Sequence, residues 1–579
     1  MTACRRRILL TAPCAIALAV ALAASGPVAG QPPDAGAAAD TIFVGDHIVT
    51  MEPEGPAVDA VAVRGETIVA AGPRDEVLAL RGDATRVVEL GARALLPGFI
   101  DAHGHFLAVG MTLDALALHP PPVGDVRNID DIVDRIRAWI AEREIPPGEM
   151  VSGGGYDDSL LAENRHPTRY DLDRASTEHP IVLTHVSGHL RTANSLALRA
   201  AGVSADTPDP PGGHIRRVGG TGEPDGVLEE TAGGLVGSSW LFRPTDDLEG
   251  LARRAIDVYT SYGTTTIQDG ATGADMVREL RAAADREPFA ADVAVFPRFG
   301  TMEDAESATL EADYRGGLRV AGVKMFLDGS PQGRTAWVTE PYHEGPPGAP
   351  ADYRAYGTSD PDLYRAGAAH LIRRGVPILV HANGDAAIDL MLDGVEDAVA
   401  GIDPPPDHRA VIIHAQLMRA DQLDRAAELG AVPSFFSAHA FFWGDWHRRS
   451  FGEARGNAIS PIRWAIERGV RFTVHNDAPV VPPDIMRLVS ITVNRRTRSG
   501  HVLGPEQRAT VREALHAVTL GAAYQYFEED VKGSIAPGKQ ADLVVLERNP
   551  LTVDPAELEH IGVVETFSRG RSVYARPAE

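Results

Sequence analysis

Cysteine is nearly absent from this chain: there are two, Cys4 and Cys14, and both fall at the extreme N-terminus. Everything after them lacks the means for a disulfide framework, a thiolate metal site or a thiol nucleophile. Positive charge is also scarce. Lys and Arg number 55 against 80 Asp and Glu, a net charge of -25 over 579 residues. A surface that acidic is repelled by phosphates, which excludes nucleic acid and anionic membranes as partners. Low-complexity tracts and short-period repeats are missing too, so neither extended disorder nor a solenoid is expected.

Long apolar runs are limited to one. Arg5, Arg6 and Arg7 precede ILLTAPCAIALAVALAA and then small residues, the layout of a secretory signal peptide. Residues 1–39 are read as this signal and a short linker, with cleavage near Gly30 or Ala39. The protein is therefore expected to be exported, periplasmic or secreted. The run is slightly short for a membrane span, so no stable insertion is expected after cleavage. The RRRIL order is similar to a twin-arginine signal without the usual preceding Ser or Thr, and Cys14 lacks a lipobox.

The remainder carries 44% hydrophobic residues overall, enough for a large core and a smaller domain. Eight short apolar, β-branched runs alternate with helical stretches: ALLPGFIDAH, GTTTIQDG, ADVAVFPRFG, GLRVAGVKMFLDG, GVPILVHANG, RAVIIHAQ, GAVPSFFSAH and GVRFTVHND. Eight such units suggest a (β/α)8 TIM-like barrel of the α/β class, whose chemistry gathers at the carboxyl ends of the strands. Ligand-type residues stand at those ends: His103 and His105 in the first, Lys324 in the fourth, His381 in the fifth, His414 in the sixth and Asp477 in the eighth. His103 and His105, two apart in an extended chain, point to the same side and can converge on one cation. Each residue alone also fits a plainer role. Lys324 can pair with Asp328, the histidines can be satisfied interior groups, and Asp477 can cap a helix before Ala478 and Pro479.

From about residue 40 onward the chain resembles the metal-dependent amidohydrolase superfamily, specifically amidohydrolase family 3, known for N-substituted formamide deformylase. The resemblance rests on PGFIDAHGHF, GTTTIQDG, VKMFLDGSPQGRTA, HANGDAAID, IIHAQL, HNDAPV and KGSIAPGKQADLVVL. It implies two divalent ions held by His103, His105, Lys324, His381, His414 and Asp477, with Lys324 carboxylated by carbon dioxide to a bridging carbamate. An unmodified ammonium beside two cations would be repelled, which gives that modification a physical reason. Zinc suits histidine nitrogen with carboxylate-type oxygen. Asp477 is the expected catalytic base, taking a proton from water whose pKa a cation lowers, so that hydroxide attacks a carbonyl. Relatives commonly have Gly and Ser or Thr before this Asp. Here His475 and Asn476 stand there, and His475 is read as a substrate contact, an outer group or a packed strand residue.

The resemblance also implies a small discontinuous β-sandwich from both chain ends, residues 40–96 and 521–579, around a barrel over 97–520. An insertion at about 120–255 follows strand one, because that interval exceeds a normal barrel connection; its His185 and His189 either reach the metals or hydrogen-bond locally. The run SFFSAHAFFWGDWHRR invites an aromatic or apolar small molecule, with Trp443 as a wall and Arg334 and His439 as polar contacts. The expected activity is hydrolysis of a non-peptide carbon–nitrogen bond in an N-substituted formamide or N-acyl compound. A cyclic amide, lactone or carbamate hydrolase, and a catalytically silent protein of the same fold, remain as alternatives. Monomer and homodimer are both open.

Overall fold

The computed structural model describes residues 38–53, 57–237 and 247–577. The proposed signal peptide therefore falls outside the described residues. The end of its linker does not: Ala39 is buried and its N–H donates to the Leu80 carbonyl.

Eight strands carry the site, and each follows from a run of β-branched or apolar residues buried on both faces, as parallel strands between helices require. They are β1 (Phe99–Ile100), β2 (Thr264–Thr272), β3 (Asp292–Pro297), β4 in two pieces (Leu318–Val320 and Val323–Phe326), β5 (Ile378–Ala382), β6 (Val411–His414), β7 (Val432–Phe435) and β8 (Thr473–Val474). The strands form two parallel sheets, one from β1 through the first piece of β4, the other from its second piece through β8. Hydrogen bonds join the sheets on both sides. Phe299 N–H donates to the Lys324 carbonyl at 2.8 Å, and Asp477 N–H to the His103 carbonyl at 3.2 Å. The fold is TIM-barrel-like α/β.

Small and apolar side chains from the strands, among them Ile100, Ala294, Leu379, Val411 and Val432, meet Ala522, Ala523 and Tyr526 in one core. Leu520–Gln525 is a helix rich in small residues that packs against the strands, and the C-terminal sheet starts only at Leu543. The first expected strand is also two. Ala94–Pro97 pairs antiparallel with Leu543–Leu546, and the chain then enters β1 through Gly98, where a Cβ would lie 2.4 Å from Thr265 Oγ1.

The two chain ends meet in a pair of four-stranded sheets. Phe43, Val61, Ile68 and Leu95 share a core with Leu543, Val545 and Phe567, and the Phe43 and Phe567 rings meet edge to face at 5.0 Å. In the interval of the expected insertion, a six-stranded sheet runs from Leu116 to Glu230, and Leu248–Ser261 is an amphipathic helix packed on β2 through Ile256, Tyr259 and Ile267.

At the amino ends of β2 and β3 lies a buried ionic knot. Lys532 Nζ is 2.5 Å from Asp292 Oδ2, 3.1 Å from Glu528 Oε2 and 3.1 Å from Thr266 Oγ1. Burial disfavours its charge, but Asp292 and Glu528 outweigh that and hold the ammonium well above its ordinary pKa. Lys532→Met should therefore leave buried carboxylates without their shared cation and destabilise the protein by about 3 kcal/mol, read as a lower denaturation midpoint. Arg569 also pairs with Asp292 and Arg319 with Glu528, and an unchanged midpoint would show that these two carry the knot alone.

Candidate metal centre

At the carboxyl ends of the strands, sheet register sets the placement. Phe326 pairs with His381, Ala382 with His414, and Phe435 with Val474, so successive strand ends present their side chains at one level. All six expected ligand residues gather there. Nε2 of His103 and Nε2 of His105 each lie 3.4 Å from Asp477 Oδ1. Lys324 Nζ is 3.1 Å from His103 Nε2, the His381 and His414 rings are 4.5 Å apart, and those of His103 and His414 are 5.6 Å apart.

The rings are oriented from behind. His103 Nδ1 is hydrogen-bonded to Gln268 Oε1, and His105 Nδ1 to the Gly270 carbonyl at 2.6 Å. Amide and carbonyl oxygens only accept, so both Nδ1 atoms carry the proton and both Nε2 lone pairs face Asp477. His381 Nδ1 lies 3.2 Å from Asp328 Oδ1. His414 Nδ1 is 3.1 Å from His475 Nε2, whose Nδ1 is 2.9 Å from Ser434 Oγ. His475 thus backs a candidate ligand. Gln268 and Ser434 carry no ligand signal of their own, although Gln268 stands in the GTTTIQDG motif.

Electrostatics complete the picture. Burial, then neighbouring Lys324 and histidine charge, pushes His103, His381 and His414 well below the ordinary imidazole value, so they are neutral and able to ligate. For Asp477 burial works upward, but His105, His475 and Lys324 pull the carboxyl down to about 2. Lys324 is fully buried with no carboxylate within ion-pairing distance among the described residues. Asp328, its suggested partner, instead accepts from the N–H groups of Asn383, Gly384 and Trp337. Asp477 caps no helix; the next begins at Ile485 under Asp484. Its Oδ1 is buried without a well-formed hydrogen bond. His414 and Asp477 both have left-handed backbones, with φ of 76° and 55°, a strain typical of functional positions. Neutral imidazoles, an anionic carboxylate with an unsatisfied oxygen and a lysine without an acid partner among the described residues fit a divalent metal site.

The expected substrate contacts are dispersed. Phe436 and His439 continue the cluster, with rings 5.2 Å from His475 and 4.7 Å from Trp443 respectively. His439 Nδ1 is 2.8 Å from His447 Nε2, and Trp443 Nε1 donates to Asp157 Oδ2 at 2.7 Å. Arg334 does not join them. Its guanidinium pairs with Glu344 at 2.7 Å and stacks 4.1 Å from the Trp446 ring. With Asp158, His166 and Gln332 it lines a cavity of about 40 Å³, which shares His166 and Arg216 with an open cleft of about 830 Å³ lined by the insertion and by residues 346–357. None of the six candidate ligands lines either space.

A second cluster, Asp158 with His166 and His185, also brings ligand atoms close together. Ser187 N–H donates to His185 Nδ1 at 3.2 Å, so the proton sits on Nε2 and is donated to Asp158 Oδ1 at 3.0 Å. Hydrogen bonds satisfy that pair without a metal. His189, by contrast, lies beside His381, with ring centroids 4.9 Å apart.

Residues 86–574 match the amidohydrolase family. The N-substituted formamide deformylase of Arthrobacter pascens is 28% identical over 551 residues, covering 93% of this chain and 98% of its own. The LONG AFTER FAR-RED 3 protein of Arabidopsis thaliana is 27% identical over 562 residues, 94% of this chain and 93% of its own. An uncharacterized metal-dependent hydrolase of Pyrococcus horikoshii shares the fold with a TM-score of 0.69 at 22% identity, over 89% of this chain and 99% of that one.

A pH dependence follows from Lys324. Burial lowers its pKa from an ordinary 10.5 to about 7, with Asp477 opposing. Between those values the unfolded chain binds a proton that the folded chain does not, so folding becomes more favourable as pH rises. In metal-free protein and carbon dioxide-free buffer, the wild type should therefore gain thermal stability from pH 7 to pH 10 relative to Lys324→Met. Parallel curves for the two proteins would show that the amine keeps its proton on folding.

Proposed function

The chain belongs to the amidohydrolase family, and from that premise we propose that it hydrolyses the carbon–nitrogen bond of an N-substituted formamide or another small N-acyl compound. The observation that carries this reading is the convergence of His103, His105 and Asp477 beside a buried Lys324 that has no acid partner among the described residues. The formamide activity of the Arthrobacter relative supports the substrate class.

In this reading His103, His105, His381, His414, Asp477 and carboxylated Lys324 would hold two divalent ions, zinc by the nature of the donors. When bound, the ions supply Lewis acidity, polarising a carbonyl and lowering the pKa of water towards neutrality. A buried lysine with pKa about 7 is about half neutral amine at pH 7, the form that adds carbon dioxide, where an ordinary lysine is almost all ammonium. Asp477 accepts the proton of the attacking water on its carboxylate and returns it to the leaving nitrogen. Gln268 and the Gly270 carbonyl keep the imidazoles in the tautomer that leaves Nε2 free. Phe436 and Trp443, both buried, wall one side and favour an apolar or aromatic substituent.

The same proposal assigns both chain ends to one discontinuous β-sandwich, supported by the pairing of Leu96 with Val544. It also takes the N-terminal segment as a signal for export.

Purified protein tests the centre directly. Prepared with bicarbonate and without chelator, it should contain two divalent ions per chain and turn over N-benzylformamide or an N-acyl amino acid. Asp477→Asn should retain most of the metal while turnover falls by roughly 10²–10⁴, the usual share of a general acid–base group. Wild-type turnover in that variant would move the proton transfer elsewhere, and one ion or none in the wild type would remove the two-metal site.

A further inference from the structure

Arg298 follows directly on β3 and stands in register with Lys324 of β4. Residues paired across parallel strands send their side chains to the same face of the sheet. Lys324 uses that face to reach His103, and Phe326, two residues on, uses it to meet His381 at a ring separation of 5.4 Å. One aromatic ring then bounds the position of the charge. The guanidinium carbon of Arg298 lies 5.5 Å from the Phe326 ring centroid, and Lys324 Nζ lies 5.2 Å from the same centroid. Arg298 is therefore at the rim of the candidate centre, one side chain out from the ligands.

Its donors are idle. Arg298 is exposed, and among the described residues its side chain forms no hydrogen bond and no ion pair. This is not for want of acids, in a chain with 80 of them against 55 cations. Arg281, Arg315 and Arg319, on the segments that flank β3, are held by Glu311, Asp285 and Glu528. A guanidinium over an aromatic face is engaged through its plane, which leaves its N–H edge open. Five donors and no acceptor suit a carboxylate, which the planar fork grips with two parallel hydrogen bonds. In a ring of eight strands β7 lies opposite β3, and there Phe436 and Trp443 are buried as an apolar wall. The centre thus has a cationic rim on one side and an apolar wall on the other.

We propose that Arg298 is a specificity-determining residue that binds a carboxylate carried by the substrate, so that the protein prefers an acidic N-acyl compound to its neutral counterpart. The inference deepens the hydrolase reading of the centre and rests on it. Arg298 takes no part in the proton transfer and leaves the ligand set as it is.

N-Formylphenylglycine and N-benzylformamide differ only in the carboxylate, so the ratio of their kcat/KM values isolates its recognition. For the full-length, metal-loaded wild type this ratio should be roughly 10–10², the worth of a hydrogen-bonded charged pair. Arg298→Met, which keeps the apolar stem, should bring the ratio near one, and Arg298→Lys, a point charge without the fork, should fall between. The change should lie in KM, because the carboxylate is bound alike in the ground and transition states. Calorimetry in an Asp477→Asn background gives a readout that needs no turnover: adding Arg298→Met should weaken binding of N-formylphenylglycine about tenfold, the low end of the same range. Both Arg298 variants should melt at the wild-type temperature. A wild-type ratio of one, or a ratio that Arg298→Met leaves as it was, would overturn the proposal. So would a lower melting temperature with both compounds affected equally, which would make Arg298 a structural tie. A protein that binds N-formylphenylglycine through Arg298 but hydrolyses neither compound would end the hydrolase reading and keep the carboxylate site. One that neither binds nor hydrolyses them would end both.

Discussion

Asp477 N–H donates to the His103 carbonyl at 3.2 Å and His105 N–H donates to the Ala478 carbonyl at 2.8 Å, tying the end of the last barrel strand to the end of the first. The candidate centre depends on this seam. His103 and His105 come from one side of it and Asp477 from the other, and the close approach of their ligand atoms is a consequence of the backbone pairing. Because the strands that meet here are separated by long stretches of chain, the site depends on long-range pairing of strand ends. The left-handed backbone at Asp477 is the local strain that turns its carboxylate inward immediately after β8.

Around that seam, hydrogen bonds settle what charge alone leaves open. A crowd of buried imidazoles beside a lysine would be strongly destabilising if protonated, and burial answers by holding His103, His381 and His414 neutral. Neutrality then needs a choice of tautomer. Gln268 and the Gly270 carbonyl make it for His103 and His105 from the side away from Asp477. The same logic separates this cluster from Asp158, His166 and His185. There a backbone N–H occupies Nδ1 and sends the proton of His185 towards the carboxylate, so similar residues at similar spacing close on themselves.

The strands and the six ligand-type residues were legible because both signals are local: β-branched runs buried on two faces, and His, Lys or Asp where each run ends. The chain's organisation beyond them was legible only in outline. Nothing in HAVTLGAAYQY announces that its small residues pack against the barrel strands and not within the C-terminal sheet, because burial of alanine has no period by which to tell one partner from another. Gln268 escaped notice since an amide is neither ligand nor base, and its role appears only once β2 stands beside β1. The surroundings of Arg334 were equally hidden. A lone arginine in a conspicuous motif suggests a substrate contact, yet Glu344 and the Trp446 face already engage it, and neither partner is predictable from spacing.

The insertion shows most clearly why sequence position is a poor guide to membership of a site. It has its own six-stranded sheet and its own core beneath the helix Ile129–Glu142. Its polar side chains nevertheless reach across to barrel loops: Asp157 to the Trp443 indole and Glu230 to the Thr335 hydroxyl. These contacts go to the loops after β7 and β4, on opposite flanks of the histidine cluster. A unit anchored on both flanks cannot shift without moving the walls of the centre. The strand ends thus place the candidate ligands, and the insertion contributes to what surrounds them.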